Sequence, residues 1–595
     1  LVVIGMVVVP EETSLSTGAG KAQELRSFLG NLRDAFGAKD LYRKPRIRVV
    51  HEPWSELMQT VAKEGAHMLL VPWDEPDRSF SAVQLDEVLG RFPCHVIILR
   101  GRIPAKPKKI LMPLRGSEEA PLTLQLALSL ASGEGEITML YSEHDDPSPT
   151  SQRVYREVAR MSQGNPSIGK ELRVEGKLLA AISEQAERHD LIVIGASEAD
   201  PGTDGDERTI GTIPRELRRQ GVSPIAIVKT HGPAPLRQLS SWNPEEFLPV
   251  TPTYVVVDKW FGENTFHSRE FEDLARTVRL KERRGLTISL GLPALNEEKT
   301  VGKVIQTVRK SLVEEFPLLD ELVLIDSGST DRTVEIARDL GVPVYIHSEI
   351  LPDLGTYKGK GEGLWKSLFV LKGDLVAWID TDISNIDPRF VYGTIGPLVH
   401  HEKIQYVKGF YRRPLKVAES MQAAGGGRVT ELVARPMINL FYPELSGLIQ
   451  PLSGEYAGRR RALERLPFYS GYGVETGLLL ALVERFGITG IAQVDLGRKV
   501  HHNQSLEALS RMAFAIIQVF VDHLESRQKV NLLTEINRTM KIIQRNGDSY
   551  RLKERAIHDQ KRPPMISIPA YRERFGIETA EEDEPMLVSA DEVRT

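Results

Sequence analysis

Three times in the second half of the chain, an apolar run ends in acidic or amide residues and passes directly into a helical pattern. The runs are Leu286 to Glu298 (LTISLGLPALNEE), Glu321 to Asp331 (ELVLIDSGSTD), and Leu375 to Ile379, which closes on Asp380-Thr381-Asp382. Short apolar runs bounded by turn residues predict buried strands, and such β-to-α junctions in succession predict a nucleotide crevice at the strand ends. A further strand is expected over Ile491 to Leu496. Helical stretches are expected over Leu364 to Leu371 and over a long pattern that includes Leu532 to Ile543.

Residues 1 to about 230 carry two passes of one layout. The first has apolar strands at His67–Pro72 and Cys94–Leu99, the second at Asp190–Gly195 and Ser223–Val228. A helix-length polar segment separates the members of each pair, as a right-handed parallel crossover requires, so a duplicated small α/β unit is expected. A proline-rich polar stretch from His231 to about Thr253 reads as a linker. The expected division is 1–104, 105–232, a linker at 233–253, a domain at 254–530, and a helical extension at 531–595 whose acidic tail from Thr579 is disordered.

Composition narrows the partners. At 595 residues the chain is long enough for about three or four domains. Its net charge of -5, with both signs interspersed, provides no basic stripe for nucleic acid. The single cysteine, Cys94, excludes an intrachain disulfide and a cysteine-based zinc site; it reads as a small buried hydrophobe in a cytoplasmic protein. No apolar run approaches the roughly 18 residues that span a bilayer, so no membrane partner is expected for the chain shown. The opening on Leu1 rather than Met leaves room for a preceding segment.

The candidate chemistry lies at the junctions. Asp380 and Asp382 suit a divalent ion, Mg2+ or Mn2+, that holds a diphosphate. The turn Leu292 to Glu298 can hold a base and ribose, although Asn296 as a helix N-cap explains the same residues. Asp326 to Asp331 repeats that logic, with a turn and cap as the equal alternative. Gly359-Lys360-Gly361-Glu362-Gly363 precedes a helix, where amides and one ammonium can meet a phosphate, but it lacks Walker spacing. Gly425 to Glu431 is a second glycine-rich turn; its Arg428 suits a planar anion and points to an anionic acceptor. Tyr411-Arg412-Arg413-Pro414 adds charge nearby, whereas Arg459-Arg460-Arg461 reads as a solvated helix face. Glu475 follows the turn Gly471-Tyr472-Gly473. His501 can complete the shell of an ion held by Asp382, or be structural.

Two resemblances follow from these segments. Lys109 to Ala120, Gly195 and Gly211-Thr212 resemble the universal stress protein family, well over Lys109 to Thr230 and more faintly over residues 1–100. That implies doubly wound units of about 140 residues. Some members bind ATP, but Arg115 and Glu198 replace the expected acidic and glycine positions here, so a structural or regulatory role is expected, with at most weak adenine nucleotide binding at residues 105–232.

From about Asp273 to Met512, the segments PALNEE, DSGSTD, GKGEGLW, DTD, KGFYRRPL, GGGRVTELVARP, QPLSGEYAGRR, YGVE and HHN look like the glucosyl-3-phosphoglycerate synthase family, retaining glycosyltransferases of GT-A fold. The implied architecture is α/β: two doubly wound universal stress protein-like units, then a Rossmann-like GT-A domain with a helical C-terminal extension. The resemblance implies that Pro293, Ala294, Leu295, Glu297, Ser327, Lys360, Asp380 and Thr381 contact the nucleotide sugar. Asp380, Asp382 and His501 would surround the metal, and Gly427, Arg428, Thr430 and Asn503 would hold 3-phosphoglycerate. Glu475, Asp382 and Lys360 would serve catalysis, with Glu475 as base, sugar orienter or packing residue. Lys499 stands where the family is expected to carry arginine. UDP-glucose is the favoured donor and a homodimer the expected assembly. The alternatives are mannosyl transfer from GDP-mannose, transfer to a polyprenyl phosphate, and a nucleotide-binding sensor without catalysis.

Overall fold

The computed structural model describes residues 2–35, 46–72, 89, 92–104, 106–114, 116–131, 135–142, 149–174, 178–196, 210–222, 224–231, 252–412, 415–417, 420–422, 427–500, 505–527, 536–546 and 549–577. Packing separates two compact units, Val50–Phe247 and the combination of Leu1–Val49 with Leu248–Thr595.

Val50–Phe247 holds a seven-stranded sheet. Across it the strands run Met68–Pro72, His95–Arg100, Ile225–Lys229, Leu191–Gly195, Lys109–Leu114, Glu136–Ser142 and Ile168–Val174. Every pair is parallel except His95–Arg100 against Ile225–Lys229. The chain therefore reverses its winding between Lys109–Leu114 and Leu191–Gly195, whose Ile110, Met112, Leu191 and Val193 share one core. Cys94 is buried as expected, and burial pushes its thiol up to about 11.

Packing divides residues 1–104 differently from the sequence pattern. Ile4–Val8 and Arg46–Val50 form a separate two-stranded sheet, whereas Met68–Pro72 and His95–Arg100 extend the larger one. The physical reason is the edge of Ile225–Lys229: an apolar strand with a free backbone edge is satisfied by another apolar strand. Leu1–Val49 is tied within its own unit by Arg26 Nε donating to Glu270 Oε2 at 2.8 Å and by the Val49 amide donating to Glu263 Oε1 at 3.1 Å. Arg115, Glu198 and residues 233–251 of the expected linker lie outside the described residues.

The other unit is organised by eight strands: β1 (Thr265–His267), β2 (Ile288–Ala294), β3 (Glu321–Asp326), β4 (Val344–Ile346), β5 (Leu375–Trp378), β6 (Tyr406–Arg412), β7 (Tyr456–Arg459) and β8 (Ile491–Arg498). Their order is β1-β8-β6-β7-β5-β2-β3-β4, and β7 alone runs against its neighbours. Every residue of β5 is buried, as expected of a strand covered on both faces. Trp365, Trp378 and Leu478 pack on one face, Leu290, Leu324 and Phe390 on the other. Two helices matter for the site, α1 (Lys360–Val370) and α2 (Val474–Phe486). The helix expected from Leu364 thus begins at Lys360, so the glycine-rich segment is its first turn rather than a loop before it.

The expected helical extension is corrected. Thr539–Asn546 is a strand paired antiparallel with Ser549–Ala556. Asn546-Gly547 is a strong hairpin signal, and with the alternating Ser549 to Lys553 (SYRLK) after it outweighs a loose helical spacing. Lys561–Arg562 then pairs with Phe468–Tyr469. The acidic tail lies outside the described residues. Among the described residues, no helix is long and apolar enough to cross a membrane.

Candidate active site

The C-terminal ends of β2, β3 and β5 lie side by side, because Ala294 is paired with Asp326 and Gly291 with Trp378. Loops leaving parallel strands in register must share one crevice. The first two turns are laced together. Asn296, with φ of 59°, accepts at Oδ1 from the Thr330 amide at 2.8 Å, while its own amide donates to Ser329 Oγ at 2.9 Å. Asn296 therefore bridges two turns; the following helix begins at Val301 after Thr300. The Glu297 amide donates to Thr333 Oγ1 at 2.7 Å, and the Ser327 amide to the Ala294 carbonyl at 2.9 Å. Asp326 accepts at Oδ2 from the Gly328 and Ser329 amides, leaving Oδ1 buried without a hydrogen-bond partner. Leu295 stands exposed at the crevice rim. Thr381 donates to the Pro293 carbonyl at 2.9 Å, which fastens the Asp380-Thr381-Asp382 turn to β2.

Charge concentrates where α1 and α2 begin. Lys360 Nζ donates to Asp380 Oδ1 at 2.7 Å and lies 3.2 Å from Glu475 Oε1. Burial alone would lower its pKa, but Asp380 and Glu475 overcome this and hold the ammonium well above the ordinary lysine range. Lys499 Nζ reaches Asp380 Oδ2 at 2.9 Å and Asp382 Oδ1 at 3.9 Å, and donates to Glu455 Oε1. Burial disfavours ionised Asp380, yet the two ammoniums prevail and keep its carboxyl well below the usual carboxylate range. Asp382 moves the other way, raised by burial and then by the Asp380 charge. Glu297 is raised mainly by burial and, in addition, by Asp382 and Asp380.

Several participants were not anticipated. Because β7 is antiparallel, the residue before it, Glu455, arrives at the crevice edge, where it is fully buried against Lys499. Lys408, paired across strands with Tyr456, is buried with no hydrogen-bond partner for Nζ, which lies 4.2 Å from the Tyr456 ring centre. A lysine inside the apolar run Tyr406 to Phe410 was the available signal. Arg459 and Arg460 correct an expectation: instead of a solvated face, they bind carbonyls of Ile404, Leu398 and His401, and of Gly373, Leu368 and Leu371.

Gly427, with φ of 90°, Arg428 and Thr430 lie on a separate turn leading into the short helix Thr430–Ala434. His501 and Asn503 lie outside the described residues, although the preceding residue is anchored: Val500 donates to Asn385 Oδ1 at 2.7 Å and accepts from the Ser384 amide at 3.3 Å. Among the described residues, no group of three or more metal-ligating side chains converges. Asp380 and Asp382 still fit a hard divalent ion. They offer oxygen donors, and Asp382 Oδ1 is a buried carboxylate oxygen that accepts no hydrogen bond.

Residues 289–466, which hold the three strand ends and Lys360, Asp380 and Asp382, match the family model for glycosyl transferase family 2, and Glu475 and Lys499 follow it. Glucosyl-3-phosphoglycerate synthase of Petrotoga mobilis is 52% identical over 316 residues, spanning 53% of this chain and 97% of the relative. The crystal structure of mannosyl-3-phosphoglycerate synthase from Rubrobacter xylanophilus aligns with 34% identity and a TM-score of 0.49, covering 52% of this chain and 98% of that one. Glucosyl-3-phosphoglycerate synthase from Mycobacterium tuberculosis, in complex with Mn2+, UDP and glucosyl-3-phosphoglycerate, aligns with 40% identity and a TM-score of 0.43, over 49% and 95% of the two chains. With identity at this level along nearly the whole of the Petrotoga relative, the chain belongs to the glucosyl-3-phosphoglycerate synthase family.

Proposed function

We propose that the chain is a glucosyl-3-phosphoglycerate synthase, which transfers glucose from an NDP-glucose, UDP-glucose favoured, to the 2-hydroxyl of 3-phosphoglycerate with retention of configuration. The carrying observation is Lys360 poised between Asp380 and Glu475 at the joined ends of β2, β3 and β5, in a chain 52% identical to a synthase of this name. Pro293, Ala294, Leu295, Glu297 and Ser327 line the turns that take the base and ribose. Lys360 holds the diphosphate, and its two carboxylate partners keep it protonated until the donor arrives. Asp380, Asp382 and His501 are the residues that would hold Mg2+ or Mn2+, which when bound supplies charge neutralisation for the leaving diphosphate. Gly427, Arg428, Thr430 and Asn503 hold the acceptor anion, and Glu475 orients the donor sugar. Catalysis is then chiefly positioning and leaving-group stabilisation.

Residues 105–232 are assigned as a universal stress protein-like unit, whose sheet Met68–Pro72 and His95–Arg100 extend, with a structural or regulatory rather than catalytic role and weak adenine nucleotide binding at most. The homodimer and cytoplasmic location belong to the same reading. The deciding experiment incubates purified chain with 3-phosphoglycerate, Mg2+ or Mn2+, and UDP-glucose, GDP-glucose or GDP-mannose. Product mass and released nucleotide are measured beside Asp382→Ala. A phosphorylated glucosyl glycerate that disappears in the variant is expected; no product with any donor overturns the assignment.

A further inference from the structure

The two helix starts that present Lys360 and Glu475 are held by one distant piece of chain, Asp559 to Pro563. Its strand Lys561–Arg562 pairs with Phe468–Tyr469. The next residue, Ser470, donates its amide to the Gln560 carbonyl at 2.9 Å and accepts at Oγ from the Gln560 amide at 2.9 Å. From this seam the segment reaches both helices.

Towards α2, Asp559 Oδ2 accepts from the Gly473 amide at 2.7 Å. Gly473 precedes the helix and has no side chain with which to cap it. Asp559 thus supplies a remote carboxylate at the positive end of a 13-residue helix, two positions from Glu475. Gly471 is glycine for the same reason: a Cβ there would overlap the Asp559 carboxylate. Towards α1, Arg562 makes a fork with Glu362, Nε to Oε2 at 2.9 Å and NH2 to Oε1 at 2.6 Å. NH1 and NH2 also donate to the carbonyls of Leu354 and Gly355, and the group lies 4.2 Å from the Tyr357 ring centre and 4.8 Å from that of Trp365. Glu362 sits in the first turn of α1, two residues after Lys360, and its amide donates to the Ser470 carbonyl at 2.9 Å.

We infer that Asp559 and Arg562 are positioning residues of the transferase site, setting the spacing between Glu475 and Lys360 from a C-terminal strap that lies outside the residues assigned to either substrate. The inference rests on the proposed transferase reading. A purely stabilising Arg–Glu pair would not require the same five residues to engage both helix starts, whose functional side chains meet at 3.2 Å. Misplacement by about 1 Å at a reacting centre can cost about 100-fold in rate.

The test is steady-state kinetics of the full chain with UDP-glucose and 3-phosphoglycerate, with melting temperatures recorded in parallel. Asp559→Ala is expected to lower kcat at least about 10-fold with both KM values within about twofold of wild type. Asp559→Asn, which keeps an amide acceptor, is expected to recover most of that loss. Arg562→Lys retains the charge but not the fork, and is expected to raise the donor KM several-fold through displacement of Lys360. The double variant Asp559→Ala/Arg562→Lys is expected to be non-additive in kcat/KM, because the two residues act on one pair. Variants with lowered melting temperature but unchanged kcat and KM overturn the strap alone, as does Asp559→Asn performing no better than Asp559→Ala. A wild-type chain that forms no product overturns the reaction and the strap together.

Discussion

Lys408 is a lysine that folding encloses without a hydrogen-bond partner, on the floor of a site where Lys360 and Lys499 are each paired with carboxylates. Burial pulls its pKa down to about 7, despite the opposing attraction of Glu475. Unfolded lysine titrates near 10.4. Between about pH 7 and about pH 10.4 the unfolded chain therefore holds a proton that the native one lacks, and this group makes stability rise with pH. Lys408→Met removes that dependence. Its gain in stability over wild type is expected to be largest below about pH 7 and to shrink toward pH 10; a urea-midpoint difference constant with pH counts against it. Lys499 is the contrasting case, a buried cation held by the buried Glu455 and the partly buried Asp380. Removing it leaves the buried Glu455 uncompensated, while Asp380 keeps Lys360, so Lys499→Met is expected to destabilise by about 3–5 kcal/mol in urea unfolding. The sequence marked position 499 only as a departure from arginine. Its ion-pair role depends on Glu455, which a strand reversal brings beside it.

Among the elements, α1 and α2 are placed by close backbone approach. A Cβ on Gly361 would overlap the Tyr469 carbonyl and meet Val474 Cβ at 2.9 Å. Alanine is the better helix former by about 1 kcal/mol, but overpacking typically costs about 1–3 kcal/mol. Gly361→Ala is therefore expected to lower the melting temperature and raise the donor KM, since Lys360 is the preceding residue. An unchanged melting temperature with normal kinetics would show that α1 can shift freely. The turns after β2 and β3 were legible as polar junctions, yet the local sequence suggested two independent caps. In the fold they are one cross-linked structure, because Asn296 bonds Thr330 across paired strands. Capping signals are local; a bond between two turns depends on strand register.

For the whole molecule, the boundary near residue 105 has a physical consequence. His95–Arg100 covers the edge of Ile225–Lys229, all but the last residue of which is buried. A fragment of residues 105–232 would expose that apolar edge, whereas residues 50–247 retain it covered. Size-exclusion chromatography is expected to show association of the shorter fragment and a discrete species for the longer one; identical behaviour would mean the added strands are dispensable. The sequence by itself determined the strands of the transferase unit and their acidic endings, and it singled out Asp380, Asp382, Lys360 and Glu475, which the fold brings to one crevice. Apolar runs and turn residues are local signals with a direct backbone meaning. Tertiary structure decided the rest: that β7 reverses and delivers Glu455, that Lys408 is enclosed, that Leu1–Val49 packs with the C-terminal half, and that Asp559 and Arg562 return to grip two helices. Those relations join residues separated by dozens to hundreds of positions, and only the mutual packing of completed elements brings them together.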